Sequence, residues 1–323
     1  MNPSRKILID TDTASDDAIA LVMALRSPDV SVLAITVVAG NVSAEQGTRN
    51  ALFTAELCGS AVPVFTGAAS PLQRPLEDAS WFHGQDGLGD HGYQPAARVA
   101  EDESAVDAIV RIIQANRGIE LITLGPLTNL ALALRQWPQL AANVSRCVVM
   151  GGAPCCEGNV TPAAEYNFWV DPEAARAVLR SQLPIELVGW QLSRGAAVVN
   201  AQEIESILAL RTKFAEFAIR SNDTAARAYQ SQTGQEGINL PDPTAMAILL
   251  HPALALVASD HSMDVQVDDG ITRGMSVVDK LGVVRDARNR AAWSDVLERG
   301  CKHTVIWEMD TPGWKQSLLQ ALR

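Results

Sequence analysis

Residues 6–27, KILIDTDTASDDAIALVMALRS, set the pattern that the chain then repeats. KILIDTD (6–12) is a short apolar run that ends in acidic and hydroxyl side chains, and it predicts a buried strand. DDAIALVMALRS (16–27) spaces its apolar residues as a helix does. Working outward, SVLAITVVAGN (31–41) and VPVFTG (62–67) predict strands. Between them SAEQGTRNALFTAELCG (43–59) predicts a helix closed by Gly59. ESAVDAIVRIIQANRG (103–118) reads as a helix and IELITLG (119–125) as a strand. PLTNLALALRQW (126–137) follows as a helix with Pro126 in its first turn. SRCVVMGG (145–152) and PIELVGWQ (184–191) predict two more strands. Strand and helix alternate, so the expected fold is α/β, a mainly parallel central sheet with helices on both faces. Two segments, 70–98 and 153–170, break the rhythm as long loops, which in a compact domain are often functional. The C-terminal third predicts helices over 201–232 and 243–250, then a strand-like stretch over 263–279.

At 323 residues and 47% hydrophobic content the chain can bury one α/β core, so a single domain over 1–323 is expected. The net charge of -11 argues against a nucleic-acid partner, because phosphate backbones call for clustered Lys and Arg. The five cysteines are odd in number and show no CxxC spacing. A disulfide framework is not expected, and Cys155-Cys156 reads as two small loop residues rather than a metal or redox pair. MNPSRKILIDTD enters a strand without the apolar region of a signal peptide, and no apolar run reaches a membrane-spanning length. A cytoplasmic protein without membrane contact is expected.

Ligands of open α/β sheets bind beyond the carboxyl ends of the strands. Here those ends carry Asp10 and Asp12, Asn41, Leu124-Gly125 and Met150-Gly151-Gly152. Asp10 and Asp12, two apart in a strand, share a face. Asp16 and Asp17 follow at a helix start, where negative charge is tolerated. Four carboxylates within eight residues repel one another unless a cation joins them, and hard oxygen donors suit Ca²⁺ or Mg²⁺. A plainer reading has Asp16 cap the helix and Asp10 anchor the turn. A rival one is phosphoryl transfer, since Asp10-x-Asp12 resembles the nucleophile strand of haloacid-dehalogenase-type phosphatases. That pattern wants Thr or Val where Ala14 stands, and leaves Asp16-Asp17 without a role.

DTDTASDDAIA (10–20) closely resembles the DxDxxxDDxxA signature of the inosine-uridine nucleoside hydrolases. Further blocks follow in the family's order: VVAGN (37–41), HGQDGLG (83–89), GPLTNLA (125–131), VVMGGA (148–153) and EGNVTPAAEYNFWVDPEAA (157–175). Tyr229-Gln230, Asp242-Pro243 and GMSVVD (274–279) complete a resemblance that spans nearly the whole chain. It implies a Ca²⁺ held by Asp12, Asp17, Asp242 and the backbone carbonyl of Leu124, with Asp10 in support. It also implies ribose contacts from Asp16, Asn41, Asn159, Glu165 and Asn167, with Met150 lining the pocket and Tyr166 packing on the sugar. Carboxylates and amides complement ribose hydroxyls, which both donate and accept.

The expected reaction is hydrolysis of the N-glycosidic bond of a ribonucleoside through an oxocarbenium-like transition state. Calcium lowers the pKa of a water, Asp12 takes its proton, and Asp16 favours the positive charge developing on the sugar. The base end departs from the resemblance. Many relatives place His before the metal-binding Asp to protonate the leaving base, and a purine-specific branch has Trp there; this chain has Pro241. Tyr229, His83 and Trp81 are the candidate base contacts, while Trp169 and Trp190 read as core. A calcium-loaded nucleoside-binding protein with little turnover, or a Mg²⁺-dependent phosphatase, are the alternatives. The resemblance further implies a homodimer or homotetramer.

Overall fold

The computed structural model describes residues 5–94 and 96–323. Residues 1–4, part of the segment read as lacking an apolar leader, and Pro95 in the first long loop lie outside them. Ten strands form among the described residues. These are β1 (Arg5–Thr11), β2 (Val30–Val37), β3 (Val64–Thr66), β4 (Ile119–Thr123), β5 (Val144–Met150), β6 (Ile185–Val188), β7 (Ala255–His261), β8 (Met263–Val265), β9 (Ser276–Val278) and β10 (His303–Met309). Eight make one sheet in the order β3-β2-β1-β4-β5-β6-β10-β7. All its pairs are parallel except β10 with the edge strand β7. The expected mainly parallel α/β fold is therefore found.

Alternation along β1 shows why the sheet is covered twice. Ile7 and Ile9 belong to one buried cluster and Leu8 to the other, because successive side chains of a strand point to opposite faces. The first cluster takes in α1 (Ser15–Arg26), α2 (Ala44–Leu57), α9 (Lys213–Arg220), α11 (Pro241–Leu250) and α13 (Thr311–Leu322). The second takes in α4 (Ala105–Ala115), α5 (Thr128–Gln136) and α7 (Pro172–Leu179). The remaining helices are α3 (Ser80–His83), α6 (Tyr166–Val170), α8 (Ala201–Leu208), α10 (Asp223–Thr233) and α12 (Ser294–Arg299). None among the described residues is long and apolar enough to cross a membrane.

Strand order reverses beside β1. β2 and β3 extend to one side of it, and β4, β5 and β6 to the other. Such a switch point opens a crevice at the carboxyl ends of the flanking strands. α11 is held so that its first turn meets that crevice. Its last carbonyls, Ile248, Leu249 and Leu250, accept hydrogen bonds from Arg5 and Arg146 at the opposite rim. Glu120 and Glu186 fix those guanidiniums through ion pairs of 2.7 and 2.6 Å. Cations at a helix C-terminus also complement its dipole.

Several sequence expectations are corrected. The helix expected from Pro126 begins at Thr128, with Pro126 outside it. The 184–191 strand ends at Val188, and Trp190–Ser193 turns as a 3₁₀ helix. The 201–232 helix is three helices, α8, α9 and α10. The 153–170 loop ends in α6. The 263–279 stretch is not one strand: β8 and β9 pair with each other, away from the main sheet. β7, β10, α7 and α13 had no sequence signal assigned to them.

Candidate functional site

Three elements, β1, α1 and α11, bring the acidic residues together. β1 ends at Thr11, and Thr13, at φ 33°, turns the chain out of the strand. That places Asp12 between strand and helix and Asp16 and Asp17 in the first turn of α1. Asp242 arrives from the first turn of α11, after Pro241 at a position where a missing N–H costs nothing. All four side chains are buried.

Carboxylate oxygens of Asp16, Asp17 and Asp242 lie within 4.8 Å of one another. Asp12 lies alongside. Its Oδ2 accepts the Asn41 N–H at 2.6 Å, and its Oδ1 is buried with no partner. One buried oxygen of Asp16 is likewise unpartnered. Asp17 is more fully engaged, accepting from Thr11 Oγ1 at 2.5 Å and from Ala14 N–H at 2.9 Å. Burial, and then the neighbouring Asp17, hold the Asp16 carboxyl at about 7. Burial, then Asp17, pushes Asp12 well up; burial, then Asp16, does the same for Asp242. Such a cluster is unfavourable as four bare anions, while orphaned buried oxygens and an all-oxygen donor set suit a hard divalent cation. The residues fit a metal.

Asp10 stands apart. It accepts from Thr36 Oγ1 at 2.6 Å and Asn129 Nδ2 at 2.9 Å, and burial raises its carboxyl to about 7. Its side chain thus ties β1 to β2 and to the start of α5. Gly40 and Gly125 close the cradle around Asp12. A Cβ at Gly40 would sit 2.1 Å from Asp12 Oδ2, and one at Gly125 2.9 Å from Asp12 Oδ1. Gly40→Ala is expected to displace that carboxylate and lower kcat by roughly a hundredfold, the scale of an ångström-sized misplacement. Steady-state ribose release checks this; activity within twofold of the parent would mean that the Asp12 position is not critical.

Two of the four carboxylates, Asp16 and Asp242, line a cavity of about 480 Å³. Asp16, Asn41, Leu124, Met150, Asn159, Glu165, Asn167 and Asp242 line it, as do Trp81, His83 and Tyr229. Glu165 caps α6, and its two oxygens accept from the N–H groups of Gly152, Asn167 and Phe168; burial holds it at about 7. Asn159 Oδ1 accepts the Tyr166 N–H at 2.9 Å. Asn167 Nδ2 donates to the Leu124 carbonyl at 2.7 Å, so an expected metal ligand and an expected ribose contact are themselves in contact. Tyr166 is buried against the cavity, its hydroxyl donating to the Glu77 carbonyl.

His83 is buried, with Nδ1 2.8 Å from Ser15 Oγ and 3.8 Å from Asp16. Burial lowers its imidazole to about 4, so it stands neutral near pH 7. Trp81 is 58% exposed at the rim. Tyr229 is half-buried there, and its hydroxyl donates to Gln235 at 3.2 Å; it is not a core tyrosine. Trp190, expected in the core, lines the cavity instead, because the 3₁₀ turn after β6 carries it there. Trp169 packs under Arg273, 3.9 Å from its ring centre. Cys155 and Cys156 are free loop residues. Asn239 is a wall residue that the sequence reading missed: a lone amide within GINLPDP (237–243) is the only signal it gives.

Residues 7–316 match the model of the family described as inosine-uridine preferring nucleoside hydrolase. The chain belongs to that family. A pyrimidine-specific ribonucleoside hydrolase of a Shewanella species is 34% identical over 322 residues, 99% of this chain and 96% of the relative. A solved plant nucleoside hydrolase superposes with a TM-score of 0.91 at 30% identity, covering 99% of both chains. A purine-preferring ribonucleoside hydrolase from Gardnerella vaginalis gives 0.86 at 30% identity, covering 98% of both. The chain is accordingly a nucleoside hydrolase, cleaving the N-glycosidic bond of ribonucleosides. The two base preferences are opposite, so base choice has to be argued from this chain's own cavity.

Proposed function

We propose that this nucleoside hydrolase is calcium-dependent, with Asp12, Asp17, Asp242 and the Leu124 carbonyl holding the ion. The observation that carries the reading is the buried group of carboxylates at the switch point, two of them with unpartnered buried oxygens. Calcium takes about 6–8 oxygen ligands in flexible geometry, which suits a mix of carboxylates and a main-chain carbonyl. When bound, the cation supplies Lewis acidity that lowers the pKa of water at the site.

The chain's own groups do the rest. Asp12 takes the proton of the attacking water through its free oxygen. Asp16 faces the ribose and favours the positive charge that develops at C1′. Asn41, Asn159, Glu165 and Asn167 orient the sugar, with Met150 beneath it; Asp10 keeps β1 and β2 in register under the cluster. Trp81, His83 and Tyr229 meet the base. We extend the reading to one domain over 1–323, working as a cytoplasmic homodimer or homotetramer.

A ribonucleoside panel assayed for free ribose, with and without chelator, tests this. Ribose release that vanishes on chelation and returns with Ca²⁺ is expected. Release indifferent to chelation would remove the metal from the reading, and nucleoside binding without ribose would remove turnover.

A further inference from the structure

Asn239 has no partner for either side-chain atom. Both Nδ2 and Oδ1 are buried and without a hydrogen bond, although the residue lines the cavity. A buried amide left with donor and acceptor both unmet is costly, because each group has lost its water without gaining a partner. Buried polar groups that stay unmet in the free protein call for an explanation such as a ligand. Other buried unpartnered amide atoms, on Gln191 and Asn222, have partners for their second atom; Asn239 has none on either.

The antiparallel bridge between Val199 and Ile238 fixes the backbone just before Asn239, and Pro241 fixes it just after. Asp242, in the acidic cluster, is three residues away, a span of at most about 10 Å. Asn239 lines the cavity together with Pro241 and the α10 residues Tyr229 and Gln232, and Tyr229 is one of the side chains expected at the base.

We propose that Asn239 reads the leaving nucleobase: Nδ2 donates to a lactam carbonyl of the base, and Oδ1 accepts from the adjacent ring N–H. The inference rests on the ribohydrolase reading of this cavity. A neutral amide transfers no proton, and neither does Pro241. It hydrogen-bonds instead. When the glycosidic bond breaks, its electron pair passes to the base nitrogen and spreads onto the lactam oxygen, where Nδ2–H meets it. The C1′ carbon takes hydroxide from water, and the base anion picks up its proton from solvent after release. Such an arrangement favours uracil and hypoxanthine, whose anions place charge on carbonyl oxygen. It disfavours adenine and cytosine, whose departure calls for ring protonation.

The test compares uridine, inosine, N3-methyluridine and a nitrophenyl riboside in the parent, Asn239→Ala and Asn239→Leu. The nitrophenyl riboside has a good leaving group and no lactam edge. In both variants kcat/KM for uridine and inosine is expected to fall about ten- to a hundredfold, the range for a hydrogen bond to a charged group. The loss on the nitrophenyl riboside should be at least tenfold smaller. N3-methyluridine, lacking the ring N–H, should be poor in the parent and little worse in the variants. Equal losses on all substrates, or losses under threefold on uridine and inosine, would overturn the assignment. Parent protein inactive on the nitrophenyl riboside and on every nucleoside would overturn the ribohydrolase reading itself. The leucine variant keeps the branched outline of asparagine without its polar atoms, and melting curves of both variants separate misfolding from lost recognition.

Discussion

Asp12→Asn is expected to slow ribose release by about 10²–10⁴-fold, the range for loss of a general base. The substitution keeps the shape of the side chain. An asparagine oxygen can still accept the Asn41 N–H that Asp12 Oδ2 accepts at 2.6 Å, so the carboxamide should stay in its cradle between Gly40 and Gly125. What disappears is the ability of the free oxygen, Asp12 Oδ1, to take a proton from water. The loss should lie in kcat, with KM for the nucleoside changed little, because the ribose contacts come from other residues. Calorimetric titration with a nucleoside would confirm that binding survives. Removing the metal from the variant should add little further loss, since groups acting on one water behave as a unit. Activity within tenfold of the parent would move the proton-accepting role to Asp16, the other cluster residue with an unpartnered oxygen.

Much of this was readable in the amino-acid order, for identifiable reasons. Parallel strands buried on both faces are continuous apolar runs, and KILI, VLAITVV and IELIT announce themselves as such. Strand ends at a shared rim follow from parallel pairing, which is why Asp12, Asn41, Leu124 and Met150 meet. The edge strand β7 was not assigned because its apolar run, ALVA (255–258), is short and gives way at once to Ser259-Asp260-His261; most of its side chains are exposed. β10 pairs with it across more than forty residues of sequence and with β6 across more than a hundred, which no local window senses. At the site, the acidic motif announced the sugar end. The base end did not announce itself, since it is assembled from single residues of separate elements: Trp81 on α3, Trp190 after β6, Tyr229 on α10 and Asn239 before α11. A solitary asparagine in a turn reads as turn chemistry. Only its buried, unmet amide sets it apart.

Metal removal should be as visible in stability as in activity, and its dependence on pH has a definite sign. Without a cation, burial holds Asp10, Asp16 and Glu165 each at about 7, against ordinary values near 4. Asp12 and Asp242 are pushed up as well, by burial and then by their acidic neighbours. A carboxyl whose folded pKa lies above its unfolded value keeps its proton in the native state after the unfolded chain has lost it. Stability from such groups is fully present below about pH 4 and is lost as pH rises through about 7. The chelator-treated protein should therefore melt at progressively lower temperature across that window. Calcium reverses the balance at the cluster, because it binds the ionised form and offsets the mutual repulsion. At a hundredfold excess over Kd a ligand specific for the native state adds about 2.7 kcal/mol, which for a chain of this size raises Tm by roughly 4 °C. The calcium-induced rise should grow between pH 5 and 7.5 as protons cease to compete, and Mg²⁺ should give less, since it demands near-octahedral geometry. Melting curves with chelator, Ca²⁺ or Mg²⁺ across that range measure this directly. A calcium shift that is absent, or that shrinks as pH rises, would mean that the buried carboxylates keep their protons and hold no ion.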